Sequence, residues 1–152
     1  IGRSVRQLQD SIRIEAPPQA IWDWLVHLTD HYTEWHPDHV SAVWERGQPN
    51  QIGSVMCAVE KIGDKRETLR FEMTFLEPPA KYEYRIKGPH SIVLPGGGFE
   101  IRPDAGGSIF TATISYRFGV LVEWILRRRT GSLRDHMREE GENLKQIIEQ
   151  SA

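Results

Sequence analysis

The sequence predicts an α+β fold in which a curved antiparallel sheet of about seven strands wraps around one long C-terminal helix. Three patterns predict this fold: an early strand with two short helical segments after it, a long region of alternating apolar residues, and helical spacing from Val120 to Ile148. The 152 residues contain no repeat or linker, so we expect a single domain over residues 1–152.

The first elements are short. Residues 8–15 alternate at Ile12 and Ile14, which predicts a strand. The stretch APPQAIWDWLVHL places two prolines before apolar residues at helical spacing, which is typical of a short amphipathic helix. A second short helix or turn is expected over residues 30–39. The two short helices therefore lie between the first and second strands.

The middle of the chain predicts a meander of six strands, because turn signals such as Pro78-Pro79 separate segments of strand character. These segments are residues 40–46, 52–63, 67–77, 81–87, 96–102 and 108–118. Segment 67–77 has a period of two that puts four apolar side chains on one face, namely Leu69, Phe71, Met73 and Phe75. Only the long helix is large enough to cover that face, so we expect a space between the helix and the curved sheet.

The C-terminal helix carries two polar residues on its apolar face. The apolar stripe consists of Leu133, Met137, Leu144, Ile147 and Ile148. His136 and Glu140 fall inside this stripe, whereas Glu139 points away from it. Gly131 is expected to mark a kink or a break.

A buried imidazole next to a buried carboxylate is unfavourable unless the two pair or bind a cation. Three interpretations of His136 and Glu140 follow. The first is a structural hydrogen bond between the two side chains. The second is a metal site, since a spacing of four helical residues lets both side chains reach one ion. The third is a general acid and base that act without metal.

A catalytic metal site needs three or four ligands, so other segments must contribute. The stretch DHYTEWHPDH holds His31, His36 and His39, and we expect His36 or His39 to turn inward. Two acids of the predicted sheet are the alternatives for a further ligand. Glu60 lies inside an apolar strand. Glu67 alternates with Leu69 and Phe71, so it falls on the same, apolar face of its strand.

Composition excludes several classes of protein. A net charge of -2 gives no electrostatic reason to expect nucleic acid or an anionic membrane as a partner. No segment approaches the roughly 18 apolar residues that span a bilayer. The single cysteine, Cys57, excludes an internal disulfide and fits a reducing compartment, so we expect a cytoplasmic protein. The oligomeric state stays open, with a homodimer as one alternative.

The strand before PPQAIWDWL, the meander and the long final helix together resemble the helix-grip (SRPBCC) superfamily of START domains, pollen-allergen-like proteins and polyketide cyclases. The resemblance covers nearly the whole chain. It implies a cavity between sheet and helix that takes a small hydrophobic or aromatic ligand. The candidate cavity walls are Trp44, Phe71, Met73, Tyr82, Tyr84, Tyr116 and Met137.

The stretches HMREEGENL and YTEWHPDHV also resemble the metal-dependent hydrolases that cleave a carbon–carbon bond in diacetylphloroglucinol. That family is a helix-grip variant whose zinc is held by two histidines and two glutamates. The resemblance implies that His136 and Glu140 are ligands and catalytic residues. His39 and Glu60 are the best matches to the other two ligands, with His36 and Glu67 in reserve.

The leading hypothesis is therefore a hydrolase of a small aromatic or polyketide-like ketone that depends on zinc or another divalent transition metal. The ion would polarise a carbonyl and lower the pKa of water, and Glu140 or a nearby histidine would move the proton. Two rival hypotheses use the same cavity. One is a carrier of an apolar ligand without chemistry, and the other is a metal-free cyclase or dehydratase in which His136 and Glu140 are the acid and base.

Overall fold

The computed structural model describes residues 5–62, 64–117 and 120–151, with their side chains except those of residue 62 and residues 120–132. Ten helices and strands follow one another within these ranges. They are β1 (Val5–Ile14), α1 (Pro18–Leu25), α2 (Leu28–Trp35), β2 (His39–Arg46), β3 (Val55–Ile62), β4 (Lys65–Glu77), β5 (Lys81–Lys87), β6 (Gly96–Asp104), β7 (Gly107–Arg117) and α3 (Val120–Gln150). A short 3-10 helix, Pro89–Ile92, joins β5 to β6.

The seven strands form one antiparallel sheet in the order β1-β7-β6-β5-β4-β3-β2. Each strand from β2 to β7 pairs with the next strand in the chain, and β1 lies at one edge of the sheet beside β7. The two short helices lie between β1 and β2 in the chain, and α3 packs against β1 and β7. The predicted class, a seven-stranded antiparallel sheet with a long C-terminal helix, is confirmed.

The core lies between the inner face of the sheet and the helices. In α1, the helical spacing of Ile21, Trp22 and Leu25 buries all three side chains. The Trp22 ring packs edge to face on Tyr82 of β5, with ring centroids 6.1 Å apart. From α3, the predicted stripe contributes the buried side chains Met137, Leu144 and Ile148. The last part of α3 is thereby held against the sheet.

A bulge in β4 overturns one prediction. Leu69 and Met73 are buried as expected, but the register with β5 shifts between Met73 and Phe75. An extra residue in a strand moves the following side chains to the opposite face. Phe75 is consequently 37% exposed, while Leu76 packs against the core, so the prediction that Phe75 faces inward is wrong.

The final helix is continuous. Its backbone continues as a helix through Gly131. The sequence predicts a kink or a break at this residue, and the break is wrong. The helix has 31 residues, and charged side chains such as Arg138 and Glu142 lie on its exposed side. In the part of the chain that the structure describes, no helix is both long and apolar enough to cross a bilayer.

The helix approaches β1 closely at Gly141. A Cβ at this buried glycine would lie 3.5 Å from Asp10 Oδ2 and 3.5 Å from Ile12 Cγ2, which are ordinary contact distances. Glycine destabilises a helix interior by about 1 kcal/mol relative to alanine. We therefore expect Gly141→Ala to raise the free energy of unfolding by about 0.5–1 kcal/mol in chemical denaturation.

The matched control is Gly97→Ala in β6. Its Cβ would lie 2.3 Å from the carbonyl oxygen of Thr113, a backbone atom that cannot move aside, so this variant should be less stable than the parent. A loss of stability in Gly141→Ala would show that α3 cannot accept a methyl group facing β1.

Candidate functional site

A cluster of polar side chains lies between the middle of α3 and the paired strands β2 and β3. His39 begins β2 and pairs across the strands with Glu60 of β3, which puts both side chains on one face of the sheet. His136 and Glu140 lie one turn apart on α3. The His39 side chain is fully buried, and those of Glu60, His136 and Glu140 are 16–18% exposed, so all four face the interior.

The distances within this cluster are short. His136 Nε2 lies 2.9 Å from Glu140 Oε1, and His39 Nε2 lies 3.4 Å from Glu140 Oε2. One donor atom from each of these three residues lies within 4.8 Å of the other two. Glu60 does not belong to that group of three. The Oε1 atom of Glu60 lies 3.7 Å from His39 Nε2. The structure thus brings the four predicted ligands together, while their role as ligands stays a prediction.

The tautomer of His39 is fixed by its surroundings. Its Nδ1 lies 2.9 Å from the carbonyl oxygen of Tyr32, which can only accept a hydrogen bond, so Nδ1 carries the proton and donates. The neutral ring then has its lone pair on Nε2. Among the described residues this Nε2 is buried and makes no hydrogen bond. In that form Nε2 faces the carboxylates of Glu60 and Glu140, an unfavourable arrangement unless Nε2 is protonated or a metal cation lies between the groups.

The protonation of the pair on α3 follows from burial and charge. Burial alone would lower the pKa of His136, but the hydrogen bond and charge of Glu140, with the carboxylates of Glu60 and Asp38, raise that pKa to about 9. Burial would raise the pKa of Glu140, but its hydrogen bond with His136 and the facing imidazoles lower it to about 2. His136 and Glu140 are therefore an ion pair at neutral pH. Burial, and then the charge of Glu140, raise the pKa of Glu60.

His36, the reserve histidine, is buried beside the cluster with both ring nitrogens engaged. Its Nδ1 accepts a hydrogen bond from the backbone N–H of Asp38 at 3.0 Å, and its Nε2 lies 2.7 Å from Glu139 Oε2. His36, Asp38 and His136 also have donor atoms within 4.8 Å of one another. Since the lone pair of His36 Nδ1 is already used, this second group is the poorer candidate for an ion.

Glu67, the reserve glutamate, is the cross-strand partner of Glu60 on β4. Its carboxylate accepts a hydrogen bond from His90 Nε2 at 3.2 Å. That bond ties β4 to the short helix before β6 and engages the Glu67 carboxylate there. Glu60 therefore has the better geometry of the two predicted alternatives.

The residues that fix the cluster in place were not among the predicted site residues. The hydroxyl of Tyr32 donates a hydrogen bond to Glu60. Trp35 Nε1 donates to the carbonyl oxygen of Glu140 at 3.0 Å, and Asn143 Nδ2 donates to the carbonyl oxygen of Trp35 at 2.9 Å. These bonds dock the end of α2 on α3. Helical spacing could have indicated that Tyr32 and Trp35 are buried, but no sequence pattern identifies the polar atoms that they contact.

The predicted cavity walls differ in burial. Three of them are buried, namely Met73, Tyr82 and Met137, and four are half-buried, namely Trp44, Phe71, Tyr84 and Tyr116. Burial first, and then the charges of Glu140 and Glu60, raise the pKa of Tyr84. Tyr84 has the strand parity of the buried Tyr82 and Ile86 and so lies on the inner face of β5, where Tyr82 packs against Trp22.

Comparison with known proteins identifies the family. Residues 6–149 match the family model described as "Polyketide cyclase / dehydrase and lipid transport". The match covers well over half of the chain, so the chain belongs to this family, and the predicted helix-grip superfamily is confirmed. No curated protein sequence matches the chain. The narrower resemblance to metal-dependent hydrolases stays a prediction.

Solved structures show the same fold at low sequence identity. TTHA0849 from Thermus thermophilus has a TM-score of 0.77 and 11% identity, over 97% of this chain and 99% of that chain. The di-domain ARO/CYC StfQ from the steffimycin biosynthetic pathway has a TM-score of 0.76 and 17% identity, over 97% of this chain and 51% of that chain. Norcoclaurine synthase from Thalictrum flavum has a TM-score of 0.74 and 10% identity, over 98% of this chain and 89% of that chain.

Proposed function

We propose that the chain is a metal-dependent hydrolase that cleaves a carbon–carbon bond in a small aromatic or polyketide-like ketone. Its ion, zinc or another divalent transition metal, would be held by His39, Glu60, His136 and Glu140. The observation that carries this proposal is the buried His39 Nε2, which has no hydrogen bond among the described residues and faces two carboxylates. A divalent cation between these groups would remove the unfavourable contact.

The donor set fits such an ion. Two nitrogens and two oxygens suit zinc, and iron or manganese nearly as well. The charges also balance, since two carboxylates neutralise a divalent cation. Each histidine turns its other nitrogen, Nδ1, towards an oxygen: His39 to the Tyr32 carbonyl at 2.9 Å, and His136 to Asp38 Oδ2 at 3.6 Å. Histidines that bind metals usually have such a partner.

A bound divalent ion would supply Lewis acidity, which polarises a carbonyl and lowers the pKa of water. The side chains of the protein supply the rest of the chemistry. A carboxylate has two oxygens, so Glu140 would bind the ion through one oxygen and accept or return a proton on the other. Trp44, Phe71 and Tyr84 pack partly buried against the core and offer an apolar surface on which an aromatic ring would stack.

Elemental analysis of the protein purified without added metal tests the proposal. We expect about one zinc, or an equivalent transition metal, per chain, and loss of the ion in His136→Ala. His27→Ala is the matched control, because His27 lies in the turn between α1 and α2, away from the cluster, and the variant should retain the ion. A metal content near zero, together with thermal stability that a chelator does not change, would rule the proposal out.

The family match favours a second candidate, a metal-free cyclase or dehydratase in which the His136–Glu140 pair is the acid and base. Chelation separates the candidates. A metal-free enzyme keeps its turnover in chelator, whereas the proposed hydrolase loses turnover and regains it with added zinc. A carrier of a hydrophobic ligand, the third possibility, would bind acylated aromatic ketones and release no carboxylic acid from them in either condition.

A further inference from the structure

One residue contacts two of the four proposed ligands through three separate parts. The Tyr32 hydroxyl donates to the carboxylate of Glu60. Its carbonyl oxygen accepts from Nδ1 of His39 at 2.9 Å. Its ring lies flat on the His39 imidazole, with centroids 3.9 Å apart and planes inclined by 6°. Tyr32 itself is only 4% exposed, so these contacts are shielded from water.

This arrangement follows from the way the chain leaves α2. Tyr32 lies in the last turn of the helix, where carbonyl groups have no partner within the helix, so its carbonyl oxygen is available to His39. The chain then turns tightly, and the His39 N–H donates to the carbonyl oxygen of His36 at 3.1 Å. The Lys61 N–H bonds the carbonyl oxygen of Asp38 at 2.8 Å, which fastens this turn to β3 beside Glu60.

We propose that Tyr32 is a positioning residue of the metal site, which holds the imidazole of His39 and the carboxylate of Glu60 in the orientation that an ion requires. The inference rests on the proposed function. The carbonyl group keeps the proton of His39 on Nδ1 and leaves Nε2 free for the ion. The ring stacking prevents rotation of the imidazole. The hydroxyl donates to Glu60 Oε1, the oxygen that lies 3.7 Å from His39 Nε2, and so holds this oxygen beside His39 while its second lone pair and Oε2 stay available to the ion.

The test is the affinity of Tyr32→Phe for zinc. This substitution removes the hydroxyl and keeps the ring and the carbonyl, so the stacking and the tautomer of His39 should survive. Loss of a partner that orients a ligand typically weakens metal binding 10–100-fold, and we expect a loss of about that size in competition with a chelating dye. In the cobalt-substituted protein we also expect a change in the visible absorption bands, because Glu60 is released.

Two further variants serve as controls. Ser108→Ala removes a buried hydroxyl that donates to the carbonyl oxygen of Ala16, outside the cluster, and its zinc affinity should equal that of the parent. In a double-mutant cycle, Tyr32→Phe should have little further effect in a Glu60→Gln background, because the hydroxyl acts through the Glu60 carboxylate. Additive losses in affinity would show that Tyr32 does not act through Glu60.

The outcomes separate this inference from the proposed function. A parent protein that binds neither zinc nor cobalt contradicts the proposed function and this inference with it. A parent that binds one ion, with Tyr32→Phe equal to it in affinity and spectrum, overturns only this inference. A lower melting temperature of the metal-free variant with unchanged affinity would assign Tyr32 a purely structural role.

Discussion

Replacing Glu140 with glutamine is expected to lower the zinc affinity by more than about 100-fold, beyond the range for partners that only orient a ligand, and to abolish turnover. Glutamine keeps the size of the side chain and removes its charge. The Glu140 carboxylate faces His136 Nε2 at 2.9 Å and His39 Nε2 at 3.4 Å, so it is the group that joins both imidazoles. The measurements are the zinc content after dialysis and product formation with zinc in excess.

Glu142→Gln is the matched control for this prediction. Glu142 lies on the exposed side of the same helix, two residues further along, near Arg138, and its loss should leave both zinc content and turnover unchanged. Normal zinc content without turnover in Glu140→Gln would make Glu140 a proton carrier and not a ligand. Normal zinc content with normal turnover would exclude it from both roles.

The second large effect concerns pH. In the metal-free protein, the pKa of His136 is raised from 6.5 to about 9, so the folded state holds this proton more tightly than the unfolded state does. The resulting stability is fully present below pH 6.5 and is lost as the pH rises through about 9. A difference of this size corresponds to about 3 kcal/mol. The raised pKa of Glu60 also makes stability fall with rising pH, but its window begins at 4.5, so it favours the acid end of the stable range.

Glu140 determines how the free energy of unfolding changes at acidic pH. Its pKa is lowered from 4.5 to about 2, so its contribution is present above pH 4.5 and is lost as the pH falls through about 2. The pKa shifts of His136 and Glu140 arise from the same ion pair, so the energy of that pair is counted only once. The metal-free protein should thus be most stable between about pH 4.5 and 6.5, and its free energy of unfolding should fall by about 3 kcal/mol towards pH 9.

Chemical denaturation in chelator, from about pH 5.5 to about pH 9.5, measures this fall. The control is the double variant His136→Gln, Glu140→Gln, which replaces two charges with a pair of neutral amides of similar size and should have a flatter profile. Stability that rises over this range in the parent would contradict the protonation states assigned to the pair.

Local periodicity accounts for the parts of the site that the sequence predicts. A period of 3.6 residues places His136 and Glu140 on the side of α3 that also carries Met137 and Leu144. A period of two places Glu60 on the face of β3 that carries Ala58, a buried residue. Both rules depend only on residues close in sequence, which is why one chain suffices to apply them.

The choice between alternatives depends on contacts between distant segments. Glu60 and Glu67 are cross-strand partners and share one face, so parity cannot separate them, and the bond from His90 to Glu67 decides between them. The same is true of Phe75, because the bulge that turns it outward arises from the pairing of β4 with β5. The three contacts of Tyr32 likewise exist only once α2, β2 and β3 are assembled.

The proposed ligands come from β2, β3 and the last helix, three segments far apart in the chain. An unfolded chain does not hold these ligands together. An ion that binds only the folded chain would therefore stabilise the folded state by mass action. At a free ion concentration about a thousand times its dissociation constant, that contribution reaches about 4 kcal/mol. If the ligand set is correct, the amount of intact protein in a cell would follow the supply of the metal, and scarcity would shorten the lifetime of the protein before it limited catalysis.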